Sequence, residues 1–585
     1  VKKIVNNPES VVLEMCNGIV AAYPQMELDR KYKVIRKRKI NENKVTLLSG
    51  GGSGHEPAHA GFIGTGMLDG AVCGDVFASP SQIQVYKGIK QTASNKGTLL
   101  IIKNYSGDMM NFKNAAYMAE EDGLTVDYVK VDDDIAVEDS LYTVGRRGVA
   151  GTIFVHKIAG AAAEAGETLL EVKRLAQKTI ENVKSIGFAL TSCTVPAKGT
   201  PTFEIGGQEM EYGVGIHGEP GTSREAVVSA DELAGRMADS LLTELRIEPG
   251  QEAEAAILVN GFGGTPLQEL YLFNNAVLKV LTERGVRARR IYVGNYMTSI
   301  DMAGASLSIL KLDEELKQYL SMYCDAPAFM VRGTEADCCF QPLEATAEKA
   351  EAVPFPTAGQ EFCEIAGNKI SLSNIIYLIN KMGDVIIENE VPFCELDAHA
   401  GDGDFGMSVA KGFRKLKEEW HELVSSQSDT IGRLLEECAM VIMEYCGGAS
   451  GPIWGSAFRS AGKAAGDMTE VDAVQFAAML QAAVKGIQDI GERSFGRGAV
   501  VGDKTLIDAL VPCADVWSVE AGQGTEIAEI FSKAASAAVE GAKKTEEIVA
   551  RMGRAGTVGE RSIGYPDAGA HALGVIFTEL SKVVR

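Results

Sequence analysis

Three glycine-rich stretches in the first half of this chain carry side chains able to do acid–base or nucleophilic chemistry. The first, Ser49-Gly50-Gly51-Gly52-Ser53-Gly54-His55-Glu56-Pro57, directly follows the β-rich run Val45–Leu48. Glycines at the C-terminal end of a strand let a ligand approach the backbone closely, and open α/β sheets bind ligands there. The stretch is not G-x-G-x-x-G, because His55 and Pro57 stand where the third glycine would fall. It is not a Walker A loop either: the nearest Gly-Lys, Gly462-Lys463, is followed by Ala464 and has Ala457 in place of the first glycine. The second stretch, Lys103-Asn104-Tyr105-Ser106-Gly107-Asp108, leaves another such run. A lone Asp in a turn is usually a cap, but beside His55 at one sheet edge Asp108 becomes a candidate base for a substrate hydroxyl. The third, Gly213-Val214-Gly215-Ile216-His217-Gly218-Glu219-Pro220-Gly221, sets His217 between glycines, where a ligand can reach its ring nitrogen.

The second half carries a different chemistry. Asp397-Ala398-His399-Ala400-Gly401-Asp402-Gly403-Asp404-Phe405-Gly406 spaces three carboxylates as D-x4-D-x-D, with glycines between them. Three such charges are costly to hold together without a cation, and magnesium with nucleotide phosphates is the natural partner. A calcium EF-hand is excluded, since its later ligands and closing Glu are absent. Further glycine turns lie between helical stretches: Gly447–Pro452, Val501–Thr505, Gly553-Arg554-Ala555 and Gly559–Asp567. Helix N-termini after small residues offer free N–H groups and a favourable dipole to phosphate, and Arg554 and Arg561 could supply charge. Singly these are helix caps; with the acidic loop they suggest one nucleotide site.

Two kinds of element must position these residues. Up to about residue 335, β-rich runs alternate with helical stretches: Val45–Leu48, Leu99–Ile102, Val126–Val131, Gly187–Leu190, Ala255–Val259 and Arg290–Val293 read as buried strands. That alternation implies α/β layers on a mainly parallel sheet, and the length favours two sub-sheets with a break near residue 190. Leu343–Gln360 is rich in Ala, Glu and Pro and reads as a semi-stiff linker. Beyond it the period becomes helical. Ile375, Leu378, Ile379, Met382 and Ile386 fall at 3–4 residue spacing behind a Ser373 cap, and helical runs cover about Ile431–Glu444, Val471–Gln488 and Glu526–Met552. The expected organisation is an α/β domain over residues 1–340, a linker over 341–365 and an all-α bundle or barrel over 366–585.

Bulk composition narrows the class. The 585 residues are 46% hydrophobic and 23% charged, ordinary for a globular protein with a sizeable core. A net charge of −22 argues against nucleic-acid binding, because a phosphate backbone wants a basic face. The 11 cysteines show no C-x-x-C spacing, so neither a zinc site nor a disulfide scaffold is expected, and free thiols fit a reducing cytosol. The first residues lack the apolar core of a signal peptide, and no run of 18 apolar residues occurs. The expectation is a soluble, cytoplasmic protein.

Taken together, the motifs resemble the dihydroxyacetone kinase family over nearly the whole chain. The N-terminal part resembles its substrate-binding domain, through L-S-G-G-G-S-G-H-E-P, Gly70–Ser81, K-N-Y-S-G-D and G-I-H-G-E-P-G. The C-terminal part resembles its nucleotide domain, through D-x4-D-G-D, G-G-A-S-G-P, G-D-K-T and G-R-A…G-E-R-S-I-G…D. The resemblance implies a two-part α/β substrate domain, an eight-helix nucleotide barrel, ATP as phosphoryl donor, Mg2+ as cofactor and a homodimer. It implies that His217 forms a covalent hemiaminal with a ketone, that His55 and Asp108 handle the attacking hydroxyl, and that Gly52, Ser53, Gly54 and Lys103 contact substrate. Asp397, Asp402 and Asp404 match the magnesium carboxylates. Phe405, Gly406, Ser408, Ala449, Ser450, Gly502, Arg554, Asp567, Ala568 and Gly569 fall at the nucleotide site. Phe405, Thr557 and Ala568 depart from the family's wording and alter that site's lining. Both halves on one polypeptide resemble the branch that uses ATP, not the branch fed by a phosphoenolpyruvate relay. The activity so implied is phosphorylation of dihydroxyacetone. The alternatives are another short ketose such as erythrulose, a lyase activity on a flavin dinucleotide, or a regulatory role, against which intact His217, Asp108 and the Asp trio count.

Overall fold

The structure is a computed structural model and describes residues 3–138, 145–248, 250–332, 338–343, 360–426, 429–552, 556 and 559–584. The chain divides between Pro342 and Leu343 into two compact units.

The first unit opens with α1 (Val11–Ala22) and a six-stranded sheet. Its strands are β1 (Met26–Asp29), β2 (Val34–Lys37), β3 (Thr46–Ser53), β4 (Gly70–Val76), β5 (Thr98–Lys103) and β6 (Val126–Val131), in the order β1-β2-β4-β3-β5-β6. β4, β3, β5 and β6 are parallel, and the β1–β2 hairpin adds antiparallel to β4. Every residue of β3 and β5 is buried, which is why both read as unbroken runs without alternation. The crossovers are α2 (Gln82–Thr92), started by a capping box between Ser81 and Gln84, and α3 (Ser106–Glu121). Next come α4 (Thr152–Glu164) and α5 (Leu169–Asn182). α4 is buried along nearly its whole length, and its small residues permit that: a Cβ on Gly160 would stand 2.4 Å from the Gly66 carbonyl oxygen.

The second sheet contains β7 (Val183–Ala189), β8 (Glu209–Tyr212), β9 (Ser223–Ala226), β10 (Ala253–Gly261), β11 (Val286–Gly294) and β12 (Gly304–Leu312), ordered β11-β10-β12-β7-β8-β9. α6 (Ala230–Glu244), α7 (Leu267–Glu283) and α8 (Glu314–Ser321) belong to the same unit, followed by a short antiparallel pair at Cys324–Ala326 and Phe329–Val331. Two expectations need correction here. The mainly parallel arrangement holds for the first sheet only; in the second, β10 and β11 are the parallel pair and the rest run antiparallel. The reason is connectivity: only α7 carries a helical crossover between neighbouring strands, while β7, β8 and β9 follow one another through the helix-free loops 190–208 and 213–222. The break between sheets also precedes residue 190. Gly187–Ala189 belongs to β7, the first strand of the second sheet, and the buried α4–α5 pair separates the two in sequence.

The second unit is helical. A short α9 (Gln360–Cys363) precedes α10 (Leu372–Glu388), α11 (Glu390–Asp397), α12 (Phe405–Glu418), α13 (Trp420–Ser426), α14 (Ile431–Tyr445), α15 (Ser450–Ala465), α16 (Ala473–Phe495), α17 (Ile507–Gln523), α18 (Ile527–Lys544) and α19 (Ala568–Val583). α10 packs on α12, α12 on α14, each helix from α14 to α18 on the next, and α19 back on α10. Eight helices therefore close a ring. Inside it lies a cavity of about 160 Å³ with an apolar lining that includes Ile379, Trp454, Leu480, Trp517 and Phe577. The cap of α10 is Ser371, not Ser373: Ser371 and Asn374 form a reciprocal capping box two residues upstream of the expected start. The last long run ends at Lys544 instead of reaching Met552. Most of the expected linker, residues 344–359, lies outside the described residues. Among the described residues no helix is long and apolar enough to cross a membrane.

Candidate functional site

In the first unit the parallel strands deliver their C-terminal ends to one edge. β5 ends on Lys103, and the first turn of α3 carries Asp108. β3 runs through Gly50–Ser53 and turns at Gly54 into His55. A Cβ on Gly51 would lie 3.3 Å from Lys103 Nζ and 3.5 Å from Asp108 Oδ2, so both charged groups converge on that glycine. A Cβ on Gly52 would stand 2.7 Å from the Phe77–Ala78 backbone, which explains why no larger residue fits there. Ser53 donates its hydroxyl to the Gly74 carbonyl at 2.7 Å.

Lys103 and Asp108 are buried, and neither Lys103 Nζ nor Asp108 Oδ1 has a hydrogen-bond partner among the described residues. Burial pushes the Asp108 carboxyl up, against the pull of Lys103 and Ser79. Burial likewise pushes the Lys103 ammonium down, opposed by Asp108 and Asp133. Buried polar atoms without partners cost free energy, so these two present ready-made contacts for a polar ligand.

His55 and His217 come from different sheets and meet edge to face. Their Nε2 atoms are 3.3 Å apart and their rings stand at 89°. A carbonyl can only accept, so His55 Nδ1 donates to Thr298 O at 2.8 Å and turns its Nε2 toward His217. Burial, then the Lys103 charge, hold both imidazoles well below the usual histidine range. Both rings are therefore neutral near pH 7, the form that carries a lone pair. Tyr105 packs edge-on against His217 at 4.5 Å between centroids, and Phe77 stacks on His55 at 5.2 Å. Sequence reasoning gave no role to Phe77, Thr298, Arg147 or Glu219. Glu219 stood inside a quoted motif; Arg147 has no local signature.

In the second unit the acidic loop links α11 to α12. Asp397 ends α11, and its Oδ2 accepts the N–H groups of Gly403 at 2.9 Å and Phe405 at 3.3 Å, folding the loop back. Carboxylate oxygens of Asp397, Asp402 and Asp404 all lie within 4.8 Å of one another. Three hard oxygen donors at that separation fit a magnesium-type cation. The cluster borders a cavity of about 200 Å³, whose lining also includes Phe405, Ala449, Ser450, Lys504, Asp567, Ala568 and Gly569. α12, α15 and α19 all begin there, so three positive helix ends face the space. Lys504 donates to the carbonyls of Ile548, Ser562 and Tyr565, pinning the loop before α17 to the one before α19. Asp567 caps α19 through the Ala570 N–H, and burial pushes its carboxyl up to about 7, with Asp508 and Asp397 adding to the rise.

Three expected nucleotide residues do not line this cavity. Gly406 is packed against α11, where a Cβ would stand 2.1 Å from the Glu390 carbonyl oxygen. Ser408 is buried on α12 behind Gly447. Gly502 lies in the turn before α17 and donates its N–H to Asp508. Arg554 lies outside the described residues.

Residues 17–328 match the Dak1 domain and residues 399–582 the DAK2 domain. These two domains on one polypeptide, with kinase relatives over the full chain, define a two-part phosphotransferase. The chain is 51% identical over 315 residues, 54% of its length and 95% of the relative's, to the dihydroxyacetone-binding subunit of PTS-dependent dihydroxyacetone kinase 1 from Listeria innocua. It is 34% identical over 581 residues, 99% of both chains, to L-erythrulose 1-kinase of Mycolicibacterium smegmatis. The crystal structure of the dihydroxyacetone kinase from C. freundii in complex with AMP-PNP and Mg2+ aligns with TM-score 0.61 and 30% identity over 99% of both chains. The chain belongs to the single-chain dihydroxyacetone kinase family.

Proposed function

We propose that the protein phosphorylates dihydroxyacetone with ATP and Mg2+, its first unit holding the ketone and its second the nucleotide. Residues 1–340 then form the acceptor domain, 341–365 the connection and 366–585 the nucleotide domain, and a homodimer is the expected assembly. The observation that carries this reading is the neutral His217 ring beside a buried Asp108–Lys103 pair whose polar atoms await partners. A neutral imidazole nitrogen adds to a ketone carbon; the carbonyl oxygen gains a proton, the imidazole gives one up, and a neutral hemiaminal results. The adduct selects carbonyl compounds over glycerol and fixes one hydroxyl for Asp108 to deprotonate, with His55 assisting. In the second unit Asp397, Asp402 and Asp404 would hold the cation, which when bound neutralises phosphate oxygens. The N–H groups at Ser450 and Ala568–Gly569 present positive dipole ends to those phosphates.

A second reading is supported by the full-length likeness to L-erythrulose 1-kinase: the same chemistry on a C4 ketose. An ATP-coupled assay over C3 and C4 ketoses, glyceraldehyde and glycerol separates the two by kcat/KM. The expected order places dihydroxyacetone first and glycerol last. Erythrulose ahead of dihydroxyacetone would transfer the assignment to the C4 substrate, and turnover of glycerol at a comparable rate would remove the hemiaminal from the mechanism.

A further inference from the structure

Arg147 is a buried arginine that none of the recognised motifs contains. Its Nε donates to Asp134 Oδ2 at 2.7 Å, its Nη2 to the Gly213 carbonyl at 3.0 Å and its Nη1 to Glu219 Oε1 at 3.0 Å. Glu219 spends its other oxygen, Oε2, on the backbone N–H of His217 at 2.8 Å. Asp134 follows β6 of the first sheet, while Gly213 and Glu219 flank His217 in the loop between β8 and β9 of the second. One guanidinium thus grips the edge that carries Lys103 and Asp108 and the loop that carries His217. Its own backbone is fixed as well: the Arg147 carbonyl accepts from Asp134 N at 3.0 Å, and Asn104, next to Lys103, donates to the Arg146 carbonyl at 2.7 Å.

The loop is shaped around this grip. A Cβ on Gly215 would stand 1.9 Å from Glu219 Oε1 and 2.7 Å from Arg147 Nη1, so only glycine leaves room for the ion pair. Gly213 at φ 76° and Gly218 at φ 68° give the two left-handed turns that bring Glu219 back under His217. Surface ion pairs contribute little, but this pair is buried, where a planar fork with several fixed acceptors holds direction as well as distance.

We infer that the Asp134–Arg147–Glu219 clamp sets the reach of the His217 ring to the bound ketone, making Arg147 and Glu219 positioning residues. This rests on the hemiaminal reading above. A misplacement of about 1 Å at a reacting atom can cost on the order of 10²-fold in rate. Lysine keeps the charge at position 147 but cannot span three acceptors in fixed directions. Glutamine at position 219 keeps the volume and an acceptor for the His217 N–H but loses the charge that holds Arg147.

The test uses the full chain as Arg147→Lys, Glu219→Gln and the double variant, with covalent capture of dihydroxyacetone followed by intact-protein mass spectrometry. Capture should slow by about 10²-fold in each single variant. The double variant should be scarcely worse than the poorer single, because both break one device. KM for the ketone should rise while Mg–ATP affinity stays near wild type. Melting temperature should fall, because one partner of a buried ion pair is lost, so capture is read on protein shown to be folded. A purely structural role would instead lower kcat, through fewer active molecules, at unchanged ketone KM; that pattern overturns the inference. So does capture at the wild-type rate in either folded variant. Should Arg147→Lys fail to fold, the isosteric Glu219→Gln decides alone. Wild-type protein that captures no ketone at His217 would defeat the hemiaminal reading itself, an outcome distinct from normal capture in both variants, which defeats only the clamp.

Discussion

The two candidate sites are built on opposite electrostatic plans. The first-unit site collects His55, His217, Lys103 and Asp108 from three separated stretches and two sheets, and three of these four are buried. Its imidazoles are useful only when neutral, and burial keeps them so. The second-unit site gathers its carboxylates from one eight-residue loop between α11 and α12; Asp402 is exposed, and Asp397 and Asp404 are partly so. Those carboxylates are useful only when ionised, and contact with water keeps ionisation inexpensive until a cation arrives. On the proposed reading, the ketone site needs a deep, long-range scaffold, whereas the cation site needs only a turn between two helices. Damage to each should stay in its own unit.

The largest effect should follow Asp108→Asn. Loss of a general base lowers kcat by about 10²–10⁴-fold. His217 should still capture ketone, because its lone pair does not depend on Asp108. Steady-state kinetics beside mass spectrometry of the adduct would check this, and equal loss of capture would merge the two roles. Next in size, Asp402→Asn and Asp404→Asn each remove a hard ligand and one negative charge from the cation site. Mg–ATP affinity should fall by about 10–100-fold, at least the cost of losing an outer partner of a metal ligand. Ketone capture should not change. Calorimetry with each ligand decides, and unchanged affinity in both variants would place the cation elsewhere.

The same contrast explains what could be read from the sequence. A site built from one loop writes itself as a string, so Asp397, Asp402 and Asp404 were visible as D-x4-D-x-D, and Gly447–Pro452 and Gly559–Asp567 as glycine turns between helices. The all-α character of the second unit followed from a change of period, and its closure into an eight-helix ring from the family resemblance. In the first unit each loop was visible, and so was the parallel first sheet, because buried parallel strands read as apolar runs. The pairing of His55 with His217 was not, since nothing local couples residues 162 apart. Arg147 was hidden for the same reason: its side-chain partners lie in two other segments, one after β6 and one between β8 and β9. The antiparallel second sheet was misjudged because β10, α7 and β11 look like a general βαβ repeat, and a hairpin of short strands such as β8 and β9 has little periodicity to show. Gly406 and Ser408 matched a motif and are packed within the second unit, so their string alone does not tell a ligand contact from a support.

The smallest effect concerns pH, and it should drive the two units apart in ligand-free protein. In the first unit burial holds His55, His59, His156 and His217 below the ordinary value of 6.5, His156 at about 3. Above 6.5 these rings are neutral folded or unfolded. Below it the unfolded chain takes up protons that the folded unit refuses, so stability is lost as pH falls. Asp567 in the second unit has the opposite sign. Its folded value of about 7 exceeds the ordinary 3.8, so its contribution is lost as pH rises toward 7 and regained as pH falls. His571, held below its ordinary value by burial, opposes part of that gain. Below about 6 the comparison blurs, because Asp134 in the first unit, raised to about 6, begins to offset the histidines. Between pH 7 and 6 the first unit should weaken and the second strengthen, each on the order of 1 kcal/mol. The 3 tryptophans, Trp420, Trp454 and Trp517, all sit in the second unit, so their fluorescence follows its urea unfolding alone. Far-UV circular dichroism follows both units. On lowering pH from 7 to 6 the fluorescence midpoint should rise and the remaining dichroism transition should fall, with the fall reduced in His156→Gln. Midpoints that move together would mean that the two units unfold as one body, and that their sites share a stability which the sequence writes in two separate halves.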